Sequence, residues 1–309
     1  MNVMLHYNAG PALKARLAGL PGLSMAFCDG DAEVAAALPV TDVLWHVLAP
    51  CTAAMIDAAP RLRLIQKIGV GVNTIDLAAA KARGIAVCNL PGTNSRAVAE
   101  MALLLMLAAL RRLPQFDAGL RAGRWVTPAA VQDRLGELAG RTVGLVGFGA
   151  VPLVLAPILA AMGCRVIYSA RAPKPDVPYE FRDFSSLLAE SDIVSLHIPQ
   201  TAETARLVDA AALARMKPGA ILVNTSRGGL VDEAALLAAL ETGHLGAAGL
   251  DVFDPEPASA DNPLFKLHNV IVAPHVAWLT TGTFDRSFAL AAENVRRLET
   301  REDLLHRVA

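Results

Sequence analysis

The hydrophobic positions of this chain form two series in which short apolar runs alternate with Ala- and Leu-rich segments. The first series predicts strands at Asn2–Tyr7, Leu23–Phe27, Val43–Leu48, Leu62–Ile68 and Ile85–Cys88. The intervening segments predict helices at Pro11–Ala18, Ala32–Ala37, Thr52–Ala59 and Asp76–Arg83. Strands that alternate with helices are typical of a parallel sheet with right-handed crossovers.

A long apolar segment separates the two series, and Asn94–Arg112 predicts a single helix there. Its most apolar part, Met101–Leu110, is too short to span a bilayer, so we interpret it as a buried helix. Residues 112–140 carry Gly, Pro and Trp125, and we expect them to form a surface excursion rather than a domain of their own.

The second series predicts strands at Thr142–Val146, Arg165–Ser169, Asp192–His197, Ala220–Asn224, Ala247–Val252 and Val270–Ala273. Strands in this number, with helices between them, match a doubly wound dinucleotide-binding domain. A last helix, Phe284–Glu299, is placed to return the chain to the first domain. We therefore expect a dinucleotide domain at 95–283, inserted into a substrate domain at 1–94 and 284–309, with the reaction in a cleft between them.

A glycine-rich turn follows the strand predicted at Thr142–Val146 and reads Gly-Phe-Gly-Ala-Val-Pro from Gly147 to Pro152. In a strand–turn–helix context, the bare N–H groups at the helix start face a pyrophosphate. Gly147 permits the tight turn, and Gly149 lets the backbone approach the ligand. Pro152 replaces the usual third glycine, which the first turn of a helix tolerates. Pro152 and Pro157 leave the detailed pyrophosphate contacts open.

The end of the next strand bears on the choice of cofactor. In NAD-binding folds an acid at this position bonds the ribose hydroxyls, but here the strand ends with Ser169, Ala170 and Arg171. A carboxylate would repel a 2′-phosphate, whereas a guanidinium can bind its oxygens. The sequence therefore predicts a preference for NADP(H), with NAD(H) possible. The alternative is that Arg171 is simply a solvated residue after a strand.

Composition narrows the classes of partner. The 309 residues include 28 basic and 29 acidic side chains for a net charge of −1, so we expect neither nucleic-acid nor membrane binding. The four cysteines are widely spaced, with neither a disulfide framework nor metal-ligand spacing, so we expect no metal and a cytoplasmic location. The N-terminus lacks the layout of a signal peptide.

Polar residues follow three strands of the second series, at the edge where open α/β sheets bind ligands. Arg227 lies in Asn-Thr-Ser-Arg-Gly-Gly, Asp251 and Glu256 lie in Asp-Val-Phe-Asp-Pro-Glu-Pro, and His275 follows Pro274. Each has an ordinary structural explanation when taken singly. Together they supply a cation, an acid and a titratable base at successive strand ends, which indicates a reaction site.

These motifs, taken in order, closely resemble the D-specific 2-hydroxyacid dehydrogenases over essentially the whole chain. The shared stretches begin at Gly69, Asn94, Gly147, His197, Asn224, Asp251 and Pro274. Pro-His-Val-Ala-Trp, around His275 and Trp278, is similar to the glyoxylate and hydroxypyruvate reductase branch. The resemblance implies a Rossmann dinucleotide domain inserted into a flavodoxin-like substrate domain, both of them doubly wound α/β sheets.

The resemblance also implies reduction of a small 2-keto acid to the D-2-hydroxy acid. His275 would be the general acid/base, Glu256 would orient it, and Arg227 would bind the substrate carboxylate. The N–H groups of Val70 and Gly71 would hold that carboxylate from the substrate domain, and Trp278 would line the substrate pocket.

On the cofactor side, the resemblance assigns the pyrophosphate to the turn at Gly147, Phe148, Gly149, Ala150 and Val151. Ser169 and Arg171 would meet the adenosine phosphate. His197 and Pro199 would flank the adenosine, and Thr225 and Asp251 would border the nicotinamide. Family members are commonly homodimers through the nucleotide domain.

Two other functions stay open. The same fold serves in dinucleotide-sensing, corepressor-like binding proteins, although an intact set of Arg227, Glu256 and His275 favours an enzyme. A dehydrogenase of the same fold could instead act on phosphoglycerate, phosphite or a bulkier 2-hydroxy acid. The chain stops at Ala309 without a further regulatory domain, which we expect to disfavour the longer phosphoglycerate type.

Overall fold

The computed structural model describes residues 1–125 and 129–309, which divide into two compact units. Unit 1 comprises Met1–Asn94 and Thr280–Ala309, and unit 2 comprises Ser95–Leu279. Residues 126–128, part of the predicted surface excursion, lie outside the described residues. The second boundary falls at Thr280 rather than at 284, because the Thr280 side chain caps the last helix by accepting the N–H of Thr283 at 3.1 Å.

Unit 1 is built on a parallel sheet with the strand order β2-β1-β3-β4-β5. The strands are β1 (Asn2–His6), β2 (Ser24–Cys28), β3 (Val43–His46), β4 (Leu64–Lys67) and β5 (Ala86–Cys88). The helices between them are α1 (Pro11–Ala18), α2 (Asp31–Ala37), α3 (Ala53–Asp57) and α4 (Leu77–Ala82). This is the flavodoxin-like order, in which the sheet grows in both directions from β1 and β3.

Unit 2 contains a seven-stranded sheet in the order β12-β11-β10-β9-β6-β7-β8, with every neighbouring pair parallel. Its strands are β6 (Thr142–Val146), β7 (Arg165–Ser169), β8 (Glu180–Phe181), β9 (Ile193–Leu196), β10 (Ile221–Asn224), β11 (Ala247–Leu250) and β12 (Val270–Val272). The chain starts at β6 and later returns to its other side at β9. The sheet therefore has the Rossmann arrangement, with its switch point between these two strands.

Helices cover this sheet because its central strands are buried throughout. The helices of unit 2 are α5 (Ser95–Arg111), α6 (Leu113–Arg121), α7 (Ala129–Gln132), α8 (Ala150–Ala161), α9 (Phe184–Glu190), α10 (Ala210–Arg215) and α11 (Glu233–Glu241), of which α6 buries none of its residues. Helix α5 packs so closely that a Cβ at Gly249 would lie 2.8 Å from Cβ of Leu105. The predicted buried helix is thereby confirmed, whereas the surface excursion contains the helix α6, which was not predicted.

The return segment of unit 1 is the helix α12 (Thr281–Thr300), which is longer than predicted at both ends. Its buried Asn294 donates to Oε1 of Gln66 in β4 at 2.7 Å and accepts the N–H of Leu305 at 2.8 Å. The tail beyond it lies antiparallel to β5 and pairs Arg307 with Cys88. Unit 1 is thus closed by residues from both ends of the chain.

Among the described residues, none of the helices has the length and apolar composition to cross a bilayer. This includes α5, whose apolar run ends at Arg111.

Candidate active site

The glycine turn stands at the switch point of the unit 2 sheet. Gly147 has a φ of +91°, and a Cβ there would lie 2.6 Å from the carbonyl oxygen of His197, just past β9. Its N–H donates to the carbonyl of Ser169 at the end of β7 at 2.8 Å. The turn is therefore held between two neighbouring strand ends, and only glycine fits there.

Helix α8 begins at this turn with its first N–H groups available. Gly149 is the N-cap residue without a side-chain cap, and a Cβ there would meet no heavy atom of the described residues within 4 Å. The side chain of Phe148 points into the core, where its ring centroid lies 4.8 Å from that of Tyr168. The turn therefore presents backbone to an open space, as an anion site at a helix start requires.

The two prolines of α8 do not prevent the helix from forming. Pro152 lies buried in the first turn, where a missing N–H costs no intrahelical bond, and Pro157 lies inside the helix, which continues to Ala161. Pro152 thus occupies the position of the usual third glycine within regular structure.

The residues predicted to contact the adenosine end differ in exposure. Ser169 is buried, whereas Arg171 is exposed and makes no ion pair within the described ranges. His197 is half-buried, and its Nε2 lies 2.9 Å from the hydroxyl of Ser195. Burial lowers the pKa of His197 to about 3, so its ring is neutral at physiological pH. Pro199 is exposed on the following loop.

A buried hydroxyl marks the end of β10. Thr225 is 8% exposed, and its Oγ1 has no hydrogen-bond partner among the described residues. Buried polar atoms are rarely left unpaired in native proteins. Together with the open backbone at Gly149, this orphaned hydroxyl shows that the carboxyl edge of the sheet fits a polar ligand such as a dinucleotide.

An imidazole and a carboxylate meet beyond β11 and β12. Nδ1 of His275 lies 2.6 Å from Oε2 of Glu256, whose Oε1 accepts the N–H of Phe253 at 3.0 Å. Burial would raise the pKa of Glu256. The hydrogen bond and charge of His275, the Phe253 N–H and the charge of Arg227 outweigh it, so the pKa lies below its usual value. Within the described residues, Nε2 of His275 has no partner, which leaves that nitrogen free to exchange a proton.

Asp251 fixes the backbone of the histidine loop. Its carbonyl oxygen accepts the N–H of His275 at 2.7 Å, and its carboxylate accepts those of Val276 and Ala277 at 2.8 and 2.9 Å. His275 has a φ of +55°, a conformation that few residues other than glycine adopt. Burial raises the pKa of Asp251, although the two N–H groups and the charge of His275 oppose this. One fully buried residue therefore organises three consecutive N–H groups.

Arg227 stands on a turn after β10 that Asn224 closes. Asn224 accepts the N–H of Ser226 at 3.0 Å and donates to the carbonyl of Arg227 at 2.8 Å. Burial lowers the pKa of Arg227, and the nearby charge of Glu256 opposes this shift. Because its charge interacts with that of Glu256, the guanidinium belongs to the same cluster as the imidazole–carboxylate pair.

Trp278 follows on the same loop and is 8% exposed. Its Nε1 donates to the carbonyl of His275 at 3.0 Å. The indole thus braces the histidine backbone, and its predicted place in the substrate pocket stays a prediction.

In unit 1, the loop after β4 presents two N–H groups. Leu90 donates to the carbonyl of Gly69 at 2.8 Å, and Nδ2 of Asn89 donates to that of Val70 at 2.9 Å. The N–H groups of Val70 and Gly71 have no acceptor among the described residues. The loop is thus held by its carbonyls, with two donors left for an anion.

Sequence reasoning missed one side chain that contacts the loop carrying Glu256. Glu233, the first residue of α11, accepts the N–H of Asp254 at 2.9 Å and the amide of Asn262 at 3.0 Å. It follows closely on the Asn-Thr-Ser-Arg-Gly-Gly motif that contains Arg227. Nothing in its spacing indicates where a carboxylate at a helix start will find its partners.

None of the groups of three or more His, Cys, Asp or Glu within residues 1–125 and 129–309 is arranged to hold a metal ion.

Parallel strands in this order, with a glycine turn at the switch point, place unit 2 among the Rossmann-fold dinucleotide-binding domains. Residues 103–277 match the family described as D-isomer specific 2-hydroxyacid dehydrogenase, NAD binding domain. The chain belongs to the D-2-hydroxyacid dehydrogenase family, as its motifs predicted.

Named relatives fall into two groups. The chain is 41% identical over 251 residues to a glyoxylate reductase of Korarchaeum cryptofilum, covering 80% of this chain and 76% of that protein. It is 44% identical over 269 residues to a D-3-phosphoglycerate dehydrogenase of Mycobacterium leprae, covering 85% of this chain. That match covers 50% of the mycobacterial protein, so this chain spans about half the length of such relatives.

A solved structure is similar along the whole chain. The crystal structure of the TT0316 protein from Thermus thermophilus aligns over 100% of both chains with a TM-score of 0.91 and 38% identity.

Proposed function

We propose that this chain reduces a small 2-keto acid, glyoxylate or hydroxypyruvate first, to the D-2-hydroxy acid with NADPH. The observation that carries the proposal is the 2.6 Å contact between Nδ1 of His275 and Glu256, which leaves the other ring nitrogen free. The similarity to a glyoxylate reductase over most of both chains supports this substrate class.

The residues of unit 2 supply what the reduction needs besides a hydride. When bound, the reduced nicotinamide supplies the hydride. His275 donates the proton from Nε2 to the carbonyl oxygen of the keto acid, so that the C=O group becomes a CH–OH group. Glu256 holds the opposite nitrogen and stabilises the charged ring. Arg227 binds the carboxylate with a planar guanidinium and draws electron density from the keto group.

The free N–H groups of Val70 and Gly71 are proposed to hold the substrate carboxylate as well. Backbone donors that converge on one point bind anions without a positive side chain. A proline at position 71 would remove one donor, and we expect it to raise the KM for the keto acid more than it lowers kcat.

For the cofactor, we propose that the N–H groups of Ala150 and Val151 bind the pyrophosphate beside Gly147, Phe148 and Gly149. His197 and Pro199 flank the adenosine, and Thr225 and Asp251 border the nicotinamide. Arg171, exposed and unpaired in the described part of the chain, binds the 2′-phosphate beside Ser169.

A homodimer is proposed on the apolar side of α6. Leu113 and Leu120 on this helix are 57% and 52% exposed, and none of its residues is buried. With Phe116 they follow helical spacing on one face. Sedimentation equilibrium tests this, and we expect a dimer that Leu113→Glu weakens. We also propose a reducing, cytoplasmic location, because all four cysteines are free.

A second candidate is oxidation of D-3-phosphoglycerate, which the similarity to mycobacterial phosphoglycerate dehydrogenases favours. A phosphate on the substrate requires cationic partners beyond those that bind the carboxylate. The two candidates therefore differ in the substrate end that unit 1 must recognise.

Steady-state kinetics separate these functions. NADPH and NADH oxidation are followed with glyoxylate, hydroxypyruvate, pyruvate, a branched keto acid and 3-phosphohydroxypyruvate. We expect the highest kcat/KM with NADPH and one of the first two. A higher value with NADH overturns the cofactor preference, and a higher value with the phosphorylated acid favours the second candidate. No turnover with any pair would contradict the enzymatic proposal and favour a dinucleotide-sensing role.

A further inference from the structure

We infer that Glu233 is a positioning residue for the reaction, because it clamps the loop that carries Glu256. The expected effect on kinetics rests on the proposed function. The contacts by which Glu233 holds the loop rest on geometry alone. The hydrogen bonds of Glu233 go to Asp254 and Asn262 rather than to His275, so Glu233 acts through another side chain.

The loop after β11 needs such a clamp because its tip is in solvent. Residues 254–257, which include Glu256, are exposed, and the Glu256 side chain is 35% exposed. The loop is anchored in the core just before its tip by Phe253, whose ring packs edge-on against Phe265 at 5.2 Å. After the tip, Ala258 packs partly buried against the same core, so the exposed residues 254–257 between these two anchors depend on polar contacts.

Glu233 supplies those contacts on both sides of the tip. Its Oε1 accepts the N–H of Asp254, two residues before Glu256, and its Oε2 accepts the amide of Asn262, six residues after it. Asn262 is itself fixed, since its Oδ1 accepts the N–H of Leu264 at 3.0 Å. The two oxygens of one carboxylate therefore tie down both arms of the loop.

The position of Glu233 on α11 is equally defined. Asp232 is the N-cap and accepts the N–H of Ala235 at 3.0 Å. A carboxylate in the first turn is also favoured by the positive end of the helix dipole. Glu233 is thus held in a fixed position at the start of α11. Its contacts with the loop set the position of Glu256 and therefore the 2.6 Å contact between Glu256 and His275.

The chemistry of Asn262 gives the clamp a distinctive test. Because Asn262 presents its NH₂ group to Glu233, the substitution Glu233→Gln sets one amide NH₂ group against another or leaves Asp254 without an acceptor. Glu233→Ala removes both contacts. Glu241, at the other end of α11 and exposed, is the matched control.

The experiment compares wild type with E233A, E233Q and E241A. We expect E233A to lower kcat/KM for the keto acid by on the order of tenfold, because misplacing a catalytic group is costly, with E233Q in between and E241A unchanged. The dissociation constant of NADPH should change by less than about twofold in all three variants. In an E256Q background, E233A should cause no further loss, because its effect passes through Glu256. A further tenfold loss there would overturn the inference.

Crystal structures of wild type, E233A and E241A test whether Glu233 positions the loop, independently of enzymatic activity. We expect the contact between Nδ1 of His275 and Oε2 of Glu256 to break in E233A and to persist in E241A. If E233A keeps that contact at its wild-type length, the clamp is wrong, whatever the activity. If wild type reduces no keto acid while E233A loses the contact, the proposed function fails and the clamp stands.

Discussion

Nδ1 of His275 lies 2.6 Å from Oε2 of Glu256, although the two residues are joined to the core by different loops. The surroundings keep the pKa of Glu256 below its ordinary value although its partial burial opposes this, so the carboxylate stays charged through the neutral range. Its hydrogen bond to Nδ1 orients the ring and leaves the opposite nitrogen, Nε2, to give a proton to a substrate.

Removing that carboxylate should slow the reaction. In Glu256→Gln the side chain keeps its size but loses the charge that faces the imidazole, so we expect kcat for reduction to fall by about a hundredfold at neutral pH. Steady-state kinetics at neutral pH measure this change. A kcat within about threefold of wild type would contradict the role of Glu256.

Alanine substitutions at Gly147 and Gly149 should affect different properties, the first stability and the second NADPH binding. Gly147→Ala places a Cβ 2.6 Å from a backbone oxygen at a φ of +91°, so we expect a lower melting temperature. Gly149→Ala meets no protein atom within 4 Å and should fold normally, yet weaken NADPH binding by at least about tenfold, because its methyl group enters the ligand's space. Calorimetry and fluorescence titration measure the two effects. Normal NADPH binding by Gly149→Ala would remove this turn from the cofactor site.

Arg171 should discriminate between the two dinucleotides. Loss of a guanidinium–phosphate contact in Arg171→Ala should weaken NADPH binding by about tenfold to a hundredfold and leave NADH binding nearly unchanged. Arg215→Ala, an exposed arginine at the end of α10, is the control and should affect neither. Titration of each variant with both cofactors is the measurement. An equal loss for NADPH and NADH would exclude Arg171 from 2′-phosphate recognition.

His46 should make the stability of unit 1 depend on pH. Burial, aided by the charge of Lys67, lowers the pKa of His46 from 6.5 to about 3. At a pH below 6.5, the ordinary pKa of histidine, His46 binds a proton in the unfolded chain but not in the folded one. The free energy of unfolding should therefore fall from about pH 6.5 towards about pH 3, by up to about 1.4 kcal/mol per pH unit for this residue.

Urea unfolding at several pH values tests this with two variants. His46→Gln should show a shallower decline with falling pH than wild type, whatever its stability at neutral pH. The exposed His268→Gln serves as the control and should keep the wild-type slope. An unchanged slope in His46→Gln would contradict the buried, neutral state of this ring.

Much of the fold could be predicted because its strands are short, apolar and separated by clear helices. The bounds of β6 and β7 agree with the prediction to the residue, and β6 is flanked by Arg141 and Gly147. Strand β8 was missed because two residues, one of them exposed, carry no periodic pattern. Helix α6 was missed because Gly119 and Pro114 lie among its few apolar residues and favour a loop, although Leu113, Phe116 and Leu120 follow helical spacing.

The site could be predicted only in part. Strand ends located Arg227, Glu256 and His275, because parallel strands bring their carboxyl ends to one edge. What Asp251 does with its carboxylate could not be predicted, since the N–H groups of Val276 and Ala277 become its partners only through the loop geometry. The same holds for Glu233, whose partners lie on a different loop.

The proton-donor role of His275 is tested by comparing wild type with His275→Ala in single-turnover reduction of glyoxylate and hydroxypyruvate by NADPH. We expect an unchanged dissociation constant for NADPH and a rate lowered by about 10²–10⁴-fold, because the proton donor is gone while the cofactor site is intact. A His275→Ala enzyme that binds NADPH normally and reduces these acids at the wild-type rate would contradict this role.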